Sequence, residues 1–182
     1  MPAAVNTFFE ERLERLFDLA ALVELVFSRA GVEYRVVGGL AVYLHVEESQ
    51  PDAGRLTRDI DIVVRRADLA AIARVAPEFG LEYRHVAGVD MLVQTVEPSA
   101  RRAVHIIFSG EKVRAASGML RGVRVTGVEE LIRMKLSSFR LKDQMHLKDL
   151  DEAGLITGEM ESSLGEVHRS RLALIRGYED GG

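Results

Sequence analysis

The sequence predicts an α/β fold in which a small mixed β-sheet is flanked by helices and followed by a helical C-terminal part. Apolar residues recur at helical spacing near the N-terminus, short apolar runs separated by turn residues fill the middle, and the pattern is helical from residue 128 onward. With 182 residues, 47% of them hydrophobic, the chain can bury one compact core. We therefore expect residues 1–127 to form a helix plus an α/β core, and residues 128–182 to pack on it.

The elements follow in chain order. Residues 7 to about 30 form a largely buried helix that stops at Gly31. YRVV (34–37) is a short strand, GG a turn and LAVYLHVEE an apolar helix. The strand DIDIVV, the helix ADLAAIARVAPEF, and the strand candidates MLVQTV, AVHIIF and GVRV come next. From Val128 the helical pattern breaks near Gly154, Gly158 and Gly165.

Composition limits the function classes. Cysteine is absent, which excludes disulfides and thiolate metal sites and favours a reducing compartment. There is no secretory leader pattern and no apolar run of membrane-spanning length, so we expect a soluble, cytoplasmic protein with no membrane partner. Residues 101–148 hold 11 basic against 4 acidic residues, although the whole chain carries a net charge of −4. Such asymmetry suits a polyanionic ligand, but an unevenly charged solvated surface explains it equally well.

The strand DIDIVV carries two carboxylates that a buried strand does not need. Side chains alternate along a strand, so Asp59 and Asp61 share one face about 6.6 Å apart at the backbone, while Ile60 and Ile62 point into the core. Two such carboxylates can share one Mg²⁺ and leave coordination positions for water and substrate phosphates. The alternative is the solvent-facing side of an edge strand.

Gly38 and Gly39 form the second feature, between a strand and a helix. Glycine permits close backbone approaches, and a helix N-terminus offers unpaired N–H groups to an anion. A lone GG is more often an ordinary turn. Combined with the two aspartates on a neighbouring strand, it predicts a site for a metal-bound nucleoside triphosphate.

A predicted helix over residues 128–142 carries the third feature. Lys135 falls within its apolar face, and Lys142, seven residues later, shares that face. Burying an unpaired ammonium is costly, so Lys135 either extends its charge to solvent or reaches an anion, for which a bound triphosphate is available.

The stretches VVGGLAVYLH, LTRDIDIVV and VEELIRMKLSSFRLKDQMHLKDLDEAG together resemble the nucleotidyltransferase fold of the DNA polymerase beta superfamily, particularly its small bacterial branch near the AbiEii-like toxins. The resemblance covers roughly residues 30 to 155. It implies metal-dependent transfer of a nucleoside monophosphate from a triphosphate to an acceptor hydroxyl, with Mg²⁺ or Mn²⁺ as cofactor. The acceptor would be RNA, a protein or a small molecule, and a toxin role would bring an antitoxin partner.

Residue roles follow from the same resemblance. Asp59 and Asp61 would hold the metal, and the glycine turn would contact the phosphates. Arg58, Lys135 and Lys142 complete the predicted nucleotide-binding set.

The sequence departs from the family pattern at one catalytic position. Many members carry a third carboxylate on a later strand, and His105 occupies that position here. A neutral imidazole can act as a general base or bind a metal, but it brings no negative charge. A buried, hydrogen-bonded structural histidine is an equal alternative, and Asp90 is a substitute carboxylate whose place at a strand start favours a turn role.

Other readings of the sequence stay open. Arg140, Asp143, His146 and Asp149 are weaker site candidates, and the two aspartates are expected to pair with nearby Lys or Arg. Arg140 and His146 have the spacing of some helical ribonuclease motifs, but the preceding strands do not fit an all-helical ribonuclease. A nucleotide-binding module without catalysis and a metal-dependent phosphodiesterase are the competing functions.

Overall fold

The computed structural model describes residues 2–99, 102–109 and 118–177. Its helices are α1 (Pro2–Ala30), α2 (Gly38–Ser49), α3 (Leu69–Val75), α4 (Val128–Ser138), α5 (Leu141–Glu152), α6 (Gly158–Ser162) and α7 (Glu166–Gly177). Its strands are β1 (Arg35–Val37), β2 (Ile60–Arg65), β3 (Leu81–Val86), β4 (Val89–Gln94), β5 (Val104–Ser109), β6 (Gly118–Leu120) and β7 (Val123–Val125). Short 3₁₀ turns flank α3 at Arg66–Asp68 and Ala76–Phe79.

All these strands form one sheet in the order β3-β4-β5-β2-β1-β7-β6. Strand β2 pairs parallel with β5 and β1 pairs parallel with β7, whereas the other neighbours are antiparallel. The predicted α/β class with a mixed sheet is confirmed. Strands β1, β2 and β5 lie side by side, which brings the glycine turn, the aspartates and His105 to adjacent positions.

The two faces of β2 have different surroundings. Ile60, Ile62 and Val64 are fully buried in the main hydrophobic core, as the alternation predicts. Asp61 and Val63 alternate with them and lie outside that core. The core also includes side chains of α1, α2, α4, α5 and α7, so helices on both sides of residue 127 contribute to it.

The region after residue 127 differs from the sequence prediction in one important way. The helix predicted over residues 128–142 is two helices, because α4 ends at Ser138 and Phe139 takes a left-handed conformation with φ 49°. Lys135 and Lys142 are therefore on different helices, and the prediction that they share one helical face is wrong.

Most other boundaries agree with the sequence. Helix α1 is followed by Gly31 with φ 65°, as predicted for its stop. Strands β3 and β6 are additions that the sequence patterns did not indicate. Within the described residues, no helix has the length and apolar character needed to cross a membrane.

Candidate active site

The glycine turn lies directly against Asp61. Strand β1 pairs with β2 so that Val37 is opposite Asp61, and Gly38 follows with φ 68°. A Cβ placed on Gly38 would come within 2.0 Å of the Asp61 Oδ2 atom. Both the left-handed backbone and the adjacent carboxylate therefore require glycine here. The glycine turn and Asp61 are therefore in contact at the N-terminus of α2.

His105 lies on the other side of Asp61. The parallel register of β2 and β5 sets the two residues opposite each other, and the His105 Nδ1 atom is 3.3 Å from Asp61 Oδ1. About a quarter of each side chain is exposed, 28% for His105 and 24% for Asp61. The histidine thus stands where the resemblance predicts a third carboxylate, within reach of Asp61 and of solvent.

Asp90 does not replace the missing carboxylate. It pairs with Ile106, one position along β5 from His105, so its side chain points to the opposite face of the sheet. There it accepts hydrogen bonds from the Tyr83 hydroxyl and from His85, which lower the pKa of Asp90. Asp90 is a strand residue with its own partners, neither a turn residue nor part of the site.

A cavity of about 220 Å³ begins beside Gly39. A Cβ on Gly39 would meet the Thr57 Oγ1 atom at 2.6 Å and the His146 Cε1 atom at 3.6 Å. Both residues line the cavity, and its full lining is Arg55, Leu56, Thr57, Arg58, Asp59, Lys142, Met145 and His146. The predicted site residues Arg58, Asp59 and Lys142 are thus brought together next to the N-terminus of α2.

Lys135 is buried behind this cavity. Its Nζ atom is 2.9 Å from His146 Nδ1 and 3.4 Å from Asp143 Oδ1, and only 5% of the residue is exposed. Burial lowers the pKa of Lys135, while the negative charges of Asp143 and Asp61 act in the opposite direction. The prediction of a lysine within an apolar face is confirmed, and its nearest polar partners are protein groups.

Asp143 holds the junction between α4 and α5. Its Oδ2 accepts hydrogen bonds from the Ser138 hydroxyl and the Arg140 backbone N–H, while its Oδ1 faces Lys135. Burial alone would raise the pKa of Asp143, but these donors and the lysine charge lower it overall. The break after α4 lets α5 turn back, so that His146 meets Lys135.

Two residues given low weight by the sequence, Asp143 and His146, therefore adjoin the site. Burial lowers the pKa of His146 to about 4, and the charges of Lys135 and Lys142 add to the effect. His146 lies between the apolar residues Met145 and Leu147, whereas Asp143 lies between Lys142 and Gln144 and has no comparable signal. The other two weak candidates have structural roles. Asp149 pairs with Arg55 at 3.0 Å, and Arg140 is the N-cap residue before α5.

A second, larger groove of about 790 Å³ adjoins the cavity, because Thr57 and Arg58 line both. Helix α1 contributes Arg12, Arg15 and Asp18 to this groove, and the segment after β4 contributes Glu97, Ser99 and Arg102. Arg102 lies 3.8 Å from Glu97 and Arg15 lies 3.7 Å from Glu11. Neither Asp59 nor Asp61 lines this groove, which meets the smaller cavity at Thr57 and Arg58.

The carboxylates of Asp59 and Asp61 fit a metal ion that is held partly by the protein and partly by the substrate. Among residues 2–99, 102–109 and 118–177, no three His, Asp or Glu side chains are arranged to enclose a metal ion. Mg²⁺ commonly uses only one or two carboxylates together with water and phosphate oxygens. Asp59 and Asp61, next to a glycine turn that can receive phosphate, fit that mode better than an all-protein metal site.

Solved structures with a similar fold include an antibiotic-resistance factor and a nucleotidyltransferase-like protein. The solution structure of the antibiotic-resistance factor ANT(2'')-Ia has a TM-score of 0.56 at 13% identity, over 91% of this chain and 99% of that one. The crystal structure of ANT(2'')-Ia in complex with adenylyl-2''-tobramycin has a TM-score of 0.53 at 14% identity, over 89% and 97% of the chains. An antigenic nucleotidyltransferase-like protein from Paracoccidioides brasiliensis has a TM-score of 0.57 at 14% identity, over 92% and 90%.

These likenesses show that the chain has the nucleotidyltransferase fold. No protein-family model and no curated protein matches the sequence.

Proposed function

We propose that the protein is a metal-dependent nucleotidyltransferase that moves a nucleoside monophosphate from a nucleoside triphosphate to an acceptor hydroxyl. The observation that carries this proposal is the contact between Asp61 and the glycine turn, where a Cβ on Gly38 would collide with the carboxylate. This contact supports the proposal because a carboxylate, which can bind Mg²⁺, lies against a helix N-terminus, which can bind phosphate. The nucleotidyltransferase fold of the chain supports the same reaction.

The residues around the turn have distinct proposed roles. Asp59 and Asp61 would hold Mg²⁺ or Mn²⁺, which when bound neutralises charge on the phosphates. Backbone N–H groups at Gly38 and Gly39 bind phosphate oxygens, and Arg58 and Lys142 attract the triphosphate into the cavity. Lys135, which lies behind His146, contributes its positive charge to the binding of the triphosphate.

The chemical step forms one bond and breaks another. The acceptor oxygen bonds to the α-phosphorus, the bond from that phosphorus to the bridging oxygen breaks, and pyrophosphate leaves with the electron pair. His105 can accept the hydroxyl proton at Nε2 if its Nδ1–H donates to Asp61, 3.3 Å away. This arrangement gives the histidine a role that a third carboxylate has in other family members.

The acceptor binds in the large groove next to Arg58. The ANT(2'')-Ia complex contains an adenylylated small molecule, so small-molecule hydroxyls belong among the acceptors to be tested, with RNA and protein. Membership of the AbiEii-like branch, with a toxin role and an antitoxin partner, is the biological setting we propose from the sequence resemblance.

One observation favours a second candidate function. His105 supplies no charge for a second metal, and such a substitution is also expected in a nucleotide-binding regulatory module that has lost catalysis. A phosphodiesterase remains the third candidate, because two carboxylates can hold a metal for hydrolysis as well.

The decisive experiment incubates the protein with Mg²⁺ and each α-labelled nucleoside triphosphate, adding cell RNA, cell protein or a small-molecule mixture as acceptor. We expect label on one acceptor class and release of pyrophosphate. Binding without pyrophosphate release would instead indicate the regulatory module. Cleavage of the acceptor without nucleotide consumption would indicate the phosphodiesterase.

A further inference from the structure

The contact between Lys135 and His146 determines which ring nitrogen of the histidine carries its proton. A lysine ammonium donates hydrogen bonds and cannot accept them. His146 Nδ1, 2.9 Å from Lys135 Nζ, must therefore accept and carries no hydrogen. A neutral imidazole with a bare Nδ1 has its proton on Nε2.

The charges around the pair support this assignment. Burial lowers the pKa of Lys135, but the Asp143 carboxylate at 3.4 Å and the charge of Asp61 favour its ammonium form. His146 is more than nine-tenths buried beside this lysine, and burial lowers its pKa to about 4. These contacts favour a charged lysine beside a neutral histidine.

The His146 ring borders the cavity. Within the described part of the chain, the bond to Lys135 is the sole hydrogen bond of the His146 ring, so Nε2 has no protein acceptor. Cε1, the ring carbon between the two nitrogens, lies 3.6 Å from where a Cβ of Gly39 would be. The ring also lines the 220 Å³ cavity together with Thr57, Arg58 and Lys142. Among the described residues, Nε2 is not one of the buried unpaired polar atoms, so this unpartnered N–H is accessible from the cavity that the ring lines.

We infer that His146 donates its Nε2–H to a phosphate oxygen of the substrate in this cavity, and that Lys135 is a positioning residue that fixes the histidine in the donating form. The inference rests on the proposed function for the identity of the ligand. Phosphate oxygens are strong acceptors, and a fixed neutral donor binds them without adding another charge to a buried site. The role expected of Lys135 from the sequence, direct contact with the anion, thus passes to the histidine in front of it.

The first test measures the charge and the tautomer of the His146 ring in the absence of any ligand. ¹⁵N NMR of the ring nitrogens at pH 7 should show His146 neutral with its proton on Nε2, its signals being assigned by their loss in His146→Gln. In Lys135→Met the preference for this form should disappear. A wild-type ring that is charged, or that has its proton on Nδ1, would overturn the inference whether or not the protein transfers nucleotides.

The second test measures binding of inorganic triphosphate with Mg²⁺ by calorimetry. His146→Phe removes the donor and should weaken binding about tenfold or more, whereas His146→Gln, whose amide can donate, should stay within about threefold of wild type. His85→Phe, on the far sheet edge, is the matched control and should bind normally. Thermal unfolding of each variant checks that it is folded.

The outcomes separate the two claims. Weaker triphosphate binding by His146→Phe in a protein that transfers no nucleotide keeps the histidine role and overturns the transferase. Unchanged binding by a folded His146→Phe, with transfer intact, overturns the histidine role alone. A wild-type protein that binds no triphosphate contradicts both.

Discussion

Two pairs of aspartate and histidine lie on adjacent parts of the same sheet, and their surroundings differ. Asp61 and His105 face each other across β2 and β5 at 3.3 Å, while Asp90 and His85 face each other across β4 and β3 at 2.9 Å. The pair with the shorter distance, Asp90 and His85, is not at the candidate active site. What distinguishes Asp61 is the glycine turn against its carboxylate. The neighbours of a residue, rather than its type, mark the candidate active site.

Hydrogen bonding explains why the second pair is structural. One oxygen of Asp90 already accepts from both Tyr83 and His85, so its charge is stabilised within β3 and β4. Asp61 Oδ1 has His105 alone as its hydrogen-bonding partner among the described residues, and Oδ2 lies at the turn. Among the described residues Oδ2 accepts no side-chain hydrogen bond, and 24% of the Asp61 side chain is exposed. Making the same substitution in each pair therefore tests directly whether Asp61 and His105 belong to the active site and Asp90 and His85 do not.

The largest expected loss of nucleotidyl transfer follows substitution of Asp61, with Asp90 as the control. Asp61→Asn keeps the side-chain shape but removes the charge that would hold the metal, so nucleotidyl transfer should fall about 1000-fold, equivalent to about 4 kcal/mol. Asp90→Asn, the matched control, should change the rate less than about threefold. Initial rates with the labelled nucleotide at saturating Mg²⁺ make the comparison, and equal losses in both variants would refute the division between the pairs.

A third histidine sharpens the comparison, because His146 contacts an ammonium and no carboxylate. Its folded pKa of about 4 lies below the ordinary 6.5, so between these pH values the unfolded chain binds a proton that the folded one does not. The free energy of unfolding should therefore fall as the pH drops through this window, by up to about 3 kcal/mol. Urea unfolding at pH 7, 6, 5 and 4 measures it. The His146→Gln variant should lose this part of the pH dependence, and an identical slope in both proteins would contradict the buried neutral histidine.

Glycine substitutions separate backbone strain from collision with the carboxylate. Gly38 and Gly88 both have positive φ, 68° and 80°, but only at Gly38 would a Cβ meet Asp61. Gly38→Ala should displace the carboxylate and reduce transfer about 100-fold. Gly88→Ala pays only the backbone strain, about 1 to 2 kcal/mol of stability, and should keep its rate. Kinetics combined with thermal unfolding distinguishes the two outcomes, and a fully active Gly38→Ala would argue against the close contact.

The smallest effect concerns the histidines of the two pairs. His105→Gln should lower the rate about tenfold or more, because glutamine cannot take up the acceptor proton. His85→Gln provides the control at the other pair, and its rate should match the wild type. An unchanged rate for a folded His105→Gln would assign that histidine a structural role.

Local patterns were enough to predict the part of the site carried by single elements. The alternation in DIDIVV predicts the burial of Ile60, Ile62 and Val64, although Val63 on the other face is buried as well. Gly38 is recognisable as a turn between a strand and a helix. The α/β class follows from the same patterns. These features depend on neighbours in the chain, which the sequence displays directly.

Contacts between distant elements could not be predicted in this way. The apolar period continues through Phe139 without glycine or proline, so nothing local indicates the end of α4; Asp143 stabilises it through Ser138 and the Arg140 backbone. The Lys135 to His146 contact depends on that break. Strand β3 lies at the edge of the sheet, and most of its side chains are exposed. Its sequence therefore has too few apolar residues to indicate a strand.

The central claim is that a metal-bound nucleoside triphosphate binds where the glycine turn meets Asp61. The most direct measurement is an NMR titration of ¹⁵N-labelled protein with Mg²⁺ and a non-hydrolysable nucleoside triphosphate. We predict the largest amide shifts at Gly38, Gly39 and residues 57–61, all abolished in Asp61→Asn. Shifts centred on Tyr83 and Asp90, or shifts unchanged in Asp61→Asn, would contradict the account.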